Sequence, residues 1–293
     1  MPVHYDMPLY RPPSEGNNLI IQATLGCSFN RCTFCSMYKT KRYVERDLDE
    51  VFADIDTAAT DHPLAHRVFL ADGDALGLDS DRLQAILDRL HAGFADLRRV
   101  SVYATPKNLL EKSVAELRAL KAAGLTLVYL GIESGATPIL KKIRKGASQK
   151  TLAGALERAF EAGLKVSGTV ILGLGGRADW RQHIEGTAEL VNLAPPTYLS
   201  TLELGLEDIA AADFMVAQKA PFQFQDDAAI LAEQALLLSL LEPPRPVIFR
   251  SNHASNSLAL AGNLPRDRER LLAELSAARA GAIPLRPRFL RGF

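Results

Sequence analysis

Short apolar runs alternate with amphipathic stretches along most of this chain, and no other feature limits its fold as tightly. "NLIIQAT" (18–24), "HRVFLAD" (66–72), "RVSVYAT" (99–105), "LTLVYLGIES" (125–134), "KVSGTVILGLGG" (165–176) and "TYLSTLEL" (197–204) read as six strands. The stretches between them carry helical spacing. One helix is expected near 47–60, where Asp47 and Glu50 suit a capping box ahead of Leu48, Val51, Phe52 and Ile55. Leu83, Ile86, Leu87, Leu90 and Phe94 make a second apolar stripe. Further helices are expected over 107–123, ending at Gly124, over 149–163 with Leu152, Leu156 and Phe160 inward, and over 178–193. Strand–helix alternation implies parallel βα units, and repeated right-handed crossovers curl the sheet. The expected class is therefore α/β, a partial or full (β/α) barrel. Beyond 205 the rhythm loosens into helices near 226–241 and 266–280 with a short strand inside 243–256. The chain reads as an N-terminal segment (1–17), a core barrel (18–204) and a C-terminal extension packed on it (205–293), one compact domain overall.

Composition narrows the class of function. Hydrophobic residues make up 47% of the 293 and charged residues 23%, as in a globular protein in water. Lys plus Arg equals Asp plus Glu at 34 each, so no net field draws the chain to nucleic acid or an anionic membrane. No apolar run approaches the roughly 18 residues of a membrane span. "MPVHYDMPLYRPPSEGNN" is polar and Pro-rich, without the apolar centre of a signal peptide. A cytoplasmic, reducing compartment is expected.

All three cysteines fall in one loop, "GCSFNRCTFCSMYK" (26–39), as Cys27-x4-Cys32-x2-Cys35. An odd, clustered count argues against a disulfide framework. Three readings stay open on the residues alone. The thiols could be buried structural groups. They could form part of a zinc site, although none of the six histidines stands at the usual short ligand spacing. They could hold an iron–sulfur cluster, for which three thiolates leave one iron without a protein ligand. In an electron carrier that opening is a defect; in an enzyme it is a coordination site.

With that loop placed after the first strand, the chain resembles the radical S-adenosylmethionine (radical SAM) superfamily over about 18–204. Phe34 stands before the last cysteine, as in that family. One residue more separates Cys27 from Cys32 than in its usual Cys-x3-Cys-x2-Cys. The branch it looks most like contains oxygen-independent coproporphyrinogen oxidases and methylthiotransferases. The resemblance implies that Cys27, Cys32 and Cys35 ligate three irons of a [4Fe–4S] cluster, with SAM chelating the fourth. It also implies a small-molecule substrate and an external one-electron donor such as flavodoxin or ferredoxin. No cysteines are left for an auxiliary cluster, so a single-cluster enzyme that uses the 5′-deoxyadenosyl radical directly is expected. The alternatives are a non-catalytic iron–sulfur carrier and a zinc-stapled interaction protein.

The same resemblance assigns the other motifs. In "DGDAL" (72–76), Gly73 and Asp74 stand where the family binds the methionine amino group. In "GIES" (131–134), Glu133 with Ser134 stands near the SAM ribose. "KKIRKG" (141–146) offers Lys142, Arg144 and Lys145 to the SAM carboxylate, with Arg144 preferred. Gly173 and Gly175 in "GTVILGLGG" (168–176) resemble the turn whose backbone approaches adenine, and Phe34 and Met37 complete the cofactor-binding set. For the substrate, "FRSNHASN" (249–256) concentrates polar side chains after the last strand. Asn252, His253 and Asn256 are its candidate catalytic residues, and a hydrogen-bonded loop that only caps the barrel is the competing reading.

Overall fold

The computed structural model describes residues 3–218 and 220–292. Its contacts divide the chain into two compact units, Met1–Asn30, Met37–Leu130 and Glu157–Val166 in one, and Arg31–Ser36, Gly131–Leu156 and Ser167–Phe293 in the other.

In chain order the elements begin β1 (Leu19–Gln22), β2 (Thr24–Leu25), β3 (Val44–Glu45), α1 (Leu48–Asp61), β4 (Arg67–Ala71), α2 (Ser80–Gly93) and β5 (Arg99–Ala104). They continue α3 (Pro106–Glu111), α4 (Val114–Ala122), β6 (Leu125–Glu133), α5 (Thr137–Lys142), α6 (Gln149–Glu161), β7 (Lys165–Leu172) and α7 (Gly176–Leu193). The remainder is β8 (Tyr198–Glu203), α8 (Asp208–Ala217), α9 (Asp227–Leu240), β9 (Val247–Ser251), β10 (Leu260–Leu264) and α10 (Arg268–Arg279).

In the first unit β1, β4, β5 and β6 pair side by side, all parallel, with Ile21 opposite Leu70, Phe69 opposite Ser101 and Val102 opposite Val128. Val68, Phe69, Leu70, Val100, Val102 and Val128 are fully buried, the continuous apolar character of parallel strands covered by helices. The second unit repeats the pattern. There β7 pairs with β8 and β8 with β9, both parallel, and β10 closes antiparallel on β9. The α/β reading holds. Every member of the α2 stripe is buried, from Leu83 to Phe94.

Several boundaries differ from the expectation, each for a local reason. The helix expected over 107–123 is two, because Lys112 is extended and each half has its own capping box, Thr105 with Asn108 and Ser113 with Glu116. "Ser113-x-x-Glu116" was the legible signal of that break. Asp47 caps α1 through the Asp49 amide (2.8 Å). Phe160 is 52% exposed, so the inward stripe of α6 is Leu152, Ala155, Leu156 and Ala159 without it. The fifth strand ends at Leu172, because Gly173 turns to φ +82°. α5, α8 and β10 had no expectation; each is at most 10 residues long and too short to show a periodicity. Among the described residues no helix is long and apolar enough to cross a membrane.

Gly135 marks the tightest packing of the second unit. A Cβ there would lie 2.2 Å from the Gly186 carbonyl oxygen and 2.6 Å from the Thr187 Cα in α7. Gly135→Ala must push backbone aside and is expected to cost about 3 kcal/mol. Gly186→Ala meets the Ala136 Cα and Cβ at 3.0 Å, a milder approach than the 2.2 Å at Gly135 and one partly offset by the gain of about 1 kcal/mol in helix propensity. Urea unfolding midpoints should fall far more for Gly135→Ala than for Gly186→Ala.

Candidate cofactor site

The cysteine loop is tied at its neck. β2 and β3 pair through Thr24–Glu45 and Leu25–Val44, so residues 26–43 leave and return at one point. The "DGD" turn after β4 grips that point. The Asp72 amide donates to the Thr24 hydroxyl (3.2 Å), and its Oδ2 accepts from the Gly26 amide (3.2 Å) and the Lys41 ammonium (2.9 Å). The Gly73 amide donates to the Gly26 carbonyl (2.9 Å). A Cβ on Gly73 would stand 2.7 Å from the Cys27 Cβ and 2.9 Å from the Tyr38 ring, so only glycine lets this turn lie against Cys27.

Asp74 is fully buried and both its oxygens face Ser28, the residue after Cys27. Oδ1 accepts from the Ser28 amide (2.9 Å) and Oδ2 from the Ser28 hydroxyl. Burial pushes the Asp74 carboxyl above its ordinary range, while the Ser28 donors and Asn108 pull the other way. The acidic position of the turn thus fastens the loop that carries Cys27. Asn30 takes φ +38°, and its side-chain amide donates to the Tyr38 carbonyl (2.7 Å), which fixes the longer Cys27–Cys32 stretch.

In the second unit, the Cys35 amide lies 3.4 Å from the Cys32 carbonyl and the Thr33 amide donates to Ile143 O (3.0 Å). β6 ends on Glu133, at φ +61°, and its Oε1 takes the Lys145 ammonium at 2.8 Å. Gly131 makes room for this pair, since a Cβ would collide with both side chains. Burial works against the Lys145 charge, yet Glu133 and the sulfurs of Cys32 and Cys35 more than offset it and hold the ammonium above its usual range. The "KKIRKG" run therefore divides otherwise than expected. Arg144 is exposed and in the left-handed turn after α5 (φ +52°), where the Lys145 amide returns to Leu140 O (2.9 Å). That turn sends Lys145 inward. Lys142 pairs with Asp179 instead.

Ser134 is buried, with its hydroxyl 2.8 Å from His183 Nδ1 and accepting from the Ala136 amide (3.0 Å). The Gly173 amide donates to Glu233 Oε2 at 2.8 Å. A Cβ on Gly175 would press on the Asp179 carbonyl and Trp180 Cα at 2.8 Å, so this glycine serves the first turn of α7. Phe34 and Met37 are half-buried. All three cysteines are half-buried and outside any disulfide.

In "RSNHASN" the side chains separate. Asn256 is buried and fully used. Its Nδ2 donates to Thr201 O (2.8 Å) and Ser251 Oγ (2.8 Å), and its Oδ1 accepts from the Glu203 amide (2.9 Å). That is the hydrogen bonding of a cap. Asn252 is exposed. His253 Nδ1 accepts from the Ser255 amide (3.1 Å), and burial with nearby Arg286 lowers its pKa, favouring neutral imidazole. Sequence reasoning gave no role to Ser28 and Asp72, which stand inside the cysteine loop and the "DGDAL" turn, or to Lys41, His183 and Glu233, which belong to no motif.

Comparison with known proteins follows the same outline. The model of the radical SAM superfamily matches residues 21–191. A putative methylthiotransferase of Methanocaldococcus jannaschii is 27% identical over 166 residues, 54% of this chain and 36% of that protein. The heme chaperone HemW of Bacillus subtilis is 27% identical over 163 residues, 54% of this chain and 41% of that one. The matched stretch is thus well under half the length of either relative. Among solved structures, coproporphyrinogen III oxidase (HemN) of Escherichia coli superimposes with a TM-score of 0.59 at 17% identity, over 76% of this chain and 52% of its own. That likeness is one of fold, the α/β barrel type of these enzymes.

Asp74→Ala removes the acceptor for both Ser28 donors, worth about 1–3 kcal/mol where burial keeps water out. In cluster-free protein, iodoacetamide should then label Cys27 several-fold faster, read by peptide mass spectrometry. Asp74→Asn, which keeps one acceptor oxygen, should fall between.

Proposed function

The chain belongs to the radical SAM superfamily, whose members are enzymes that use a [4Fe–4S] cluster and SAM, and we propose that it is itself a single-cluster enzyme acting by hydrogen abstraction on a small polar molecule. The observation that carries this reading is the loop with all three cysteines, tied behind β1 by the "DGD" turn. Cys27, Cys32 and Cys35 are the thiolates for three irons. The donor set suits the group: soft sulfur ligands select iron–sulfur clusters.

When bound, the cluster supplies the electron that splits SAM into methionine and a 5′-deoxyadenosyl radical. The protein's own groups bind and orient. Lys145 places a positive charge beside Cys32 and Cys35, where it offsets thiolate charge. By occupying Glu133 Oε1 it leaves Oε2 to accept from a ribose hydroxyl. The turn at Gly173 presents backbone to adenine, and Asp74 orders the Cys27 side of the loop. In this reading Gly73, Ser134, Gly175, Phe34 and Met37 shape the cosubstrate site, Arg144 stays a solvent-side cation, and His253 and Asn252 face the substrate over the framework that Asn256 holds. The electron donor is a small external carrier such as flavodoxin or ferredoxin, and the compartment is the cytoplasm.

Anaerobic reconstitution should give about four irons and four sulfides per chain. Reduced protein should then release 5′-deoxyadenosine from SAM, and Cys27→Ala, Cys32→Ala or Cys35→Ala should each abolish both properties. Stoichiometric zinc without a cluster signal in electron paramagnetic resonance would refute the proposal. A cluster with no SAM cleavage would make the chain an electron carrier.

A further inference from the structure

α9 is an apolar helix with one anomaly. Its buried face runs Ile230, Leu231, Leu237 and Leu238, but Glu233 and Gln234 interrupt it with 0% and 2% exposure. A helix held only by packing would carry Leu at both positions, because a buried polar group costs free energy unless it is hydrogen-bonded. Gln234 is accounted for, since its Nε2 donates to Ser251 Oγ at 2.6 Å. Glu233 is not accounted for by packing. Its Oε2 accepts from the Gly173 amide (2.8 Å), whereas its Oε1 has no hydrogen-bond partner and lies 3.5 Å from His183 Nε2.

Gly173 explains the first contact. At φ +82° it leaves the ladder, so its buried amide needs an acceptor that no strand provides. His183, fully buried on α7, continues the chain of contacts. Its Nε2 donates to Ile171 O (3.0 Å), and its Nδ1 accepts from Ser134 Oγ (2.8 Å), one residue beyond Glu133. Ser134, His183, Ile171, Gly173 and Glu233 thus join the end of β6 to the turn after β7.

We propose that Glu233, from a helix outside the stretch that matches the family, is a positioning residue that holds the Gly173 turn in its SAM-binding shape as a neutral carboxylic acid. The proposal rests on the function assigned above, which puts adenine at that turn. The contact with Gly173 survives in the neutral form, whose carbonyl oxygen can accept from the amide as Oε2 does at 2.8 Å. Burial, with Glu203 at the end of β8 acting in the same direction, raises the Glu233 pKa to about 8, against the pull of the Gly173 amide. Burial lowers that of His183 to about 4. Among the described residues, His183 and Glu203 are the titratable groups found to act on Glu233; α10, also packed on α9, buries Leu271, Leu275 and Ala278.

The test compares wild type, Glu233→Gln and Glu233→Leu in cluster-loaded protein, titrated with SAM from pH 6.5 to 9. At pH 6.5 Glu233→Gln, which keeps a carbonyl acceptor, should bind within twofold of wild type, and Glu233→Leu at least tenfold more weakly. Wild-type affinity should fall as pH passes about 8, where the buried acid ionises, and the Gln variant should stay level. A second measurement needs no cosubstrate. Because the folded-state pKa is raised from 4.5 to about 8, wild type should lose thermal stability relative to Glu233→Gln as pH rises through that window. Equal damage from Gln and Leu, no damage from Leu, or superimposable pH profiles for wild type and Gln would overturn the proposal. If the Leu variant does not fold, the two pH profiles decide. Loaded wild type that fails to bind SAM at any pH would instead overturn the function assigned above, and this proposal with it.

Discussion

Two aspartates hold the cysteine loop by its neck, and the chemistry proposed for this protein depends on that grip. A stretch from Gly26 to Tyr43 has little regular structure of its own and would otherwise sample many conformations at an entropic cost of about 1–2 kcal/mol per residue to order. Asp72 takes the Gly26 amide and the Lys41 ammonium, and Asp74 takes both donors of Ser28. Both carboxylates are fully buried, so losing their partners would leave buried charge unsatisfied. Cys27 lies between these anchors and the Gly73 backbone that only glycine allows so close.

A second theme is the use of left-handed backbone where strands and helices end. Glu133, Arg144 and Gly173 all take positive φ, and each redirects a functional group. At Glu133 the turn follows β6 directly, and its carboxylate meets Lys145. At Arg144 the turn puts the arginine outside and the next lysine inside. At Gly173 an amide leaves the ladder and finds Glu233. Non-glycine residues in this region are uncommon and are retained only where surrounding structure holds them. At Glu133 and Gly173 the holding groups stand 12 and 60 positions away, whereas at Arg144 the turn is closed locally by the Lys145 amide on the Leu140 carbonyl.

Much of this was legible beforehand. Strand positions followed from apolar runs whose parallel pairing buries both faces, and the α2 stripe was complete because five apolar residues share one helical face. Cysteine spacing pointed to the loop. The differences have physical causes. α3 and α4 read as one helix because their apolar residues continue in phase across Lys112, while the capping box at Ser113 signalled a fresh start. Phe160 belonged to the stripe by spacing but lies near the end of α6 and is 52% exposed. Arg144 was preferred to Lys145 within a run of cations, and no periodicity could show that an αL turn inverts their directions.

The amino-acid sequence by itself determined the α/β class, the order of most elements, and the loop that carries the thiols. These depend on local periodicity and spacing, which survive in one dimension. Only the tertiary structure decided which polar groups meet: Asp74 with Ser28, Lys145 with Glu133, Glu233 with Gly173. Partners in these pairs stand 46, 12 and 60 positions apart, and a buried polar group must find its partner wherever the fold brings one. A carboxylate in a sequence looks like any other; desolvation and the nearest donor, both set by packing, give it its role.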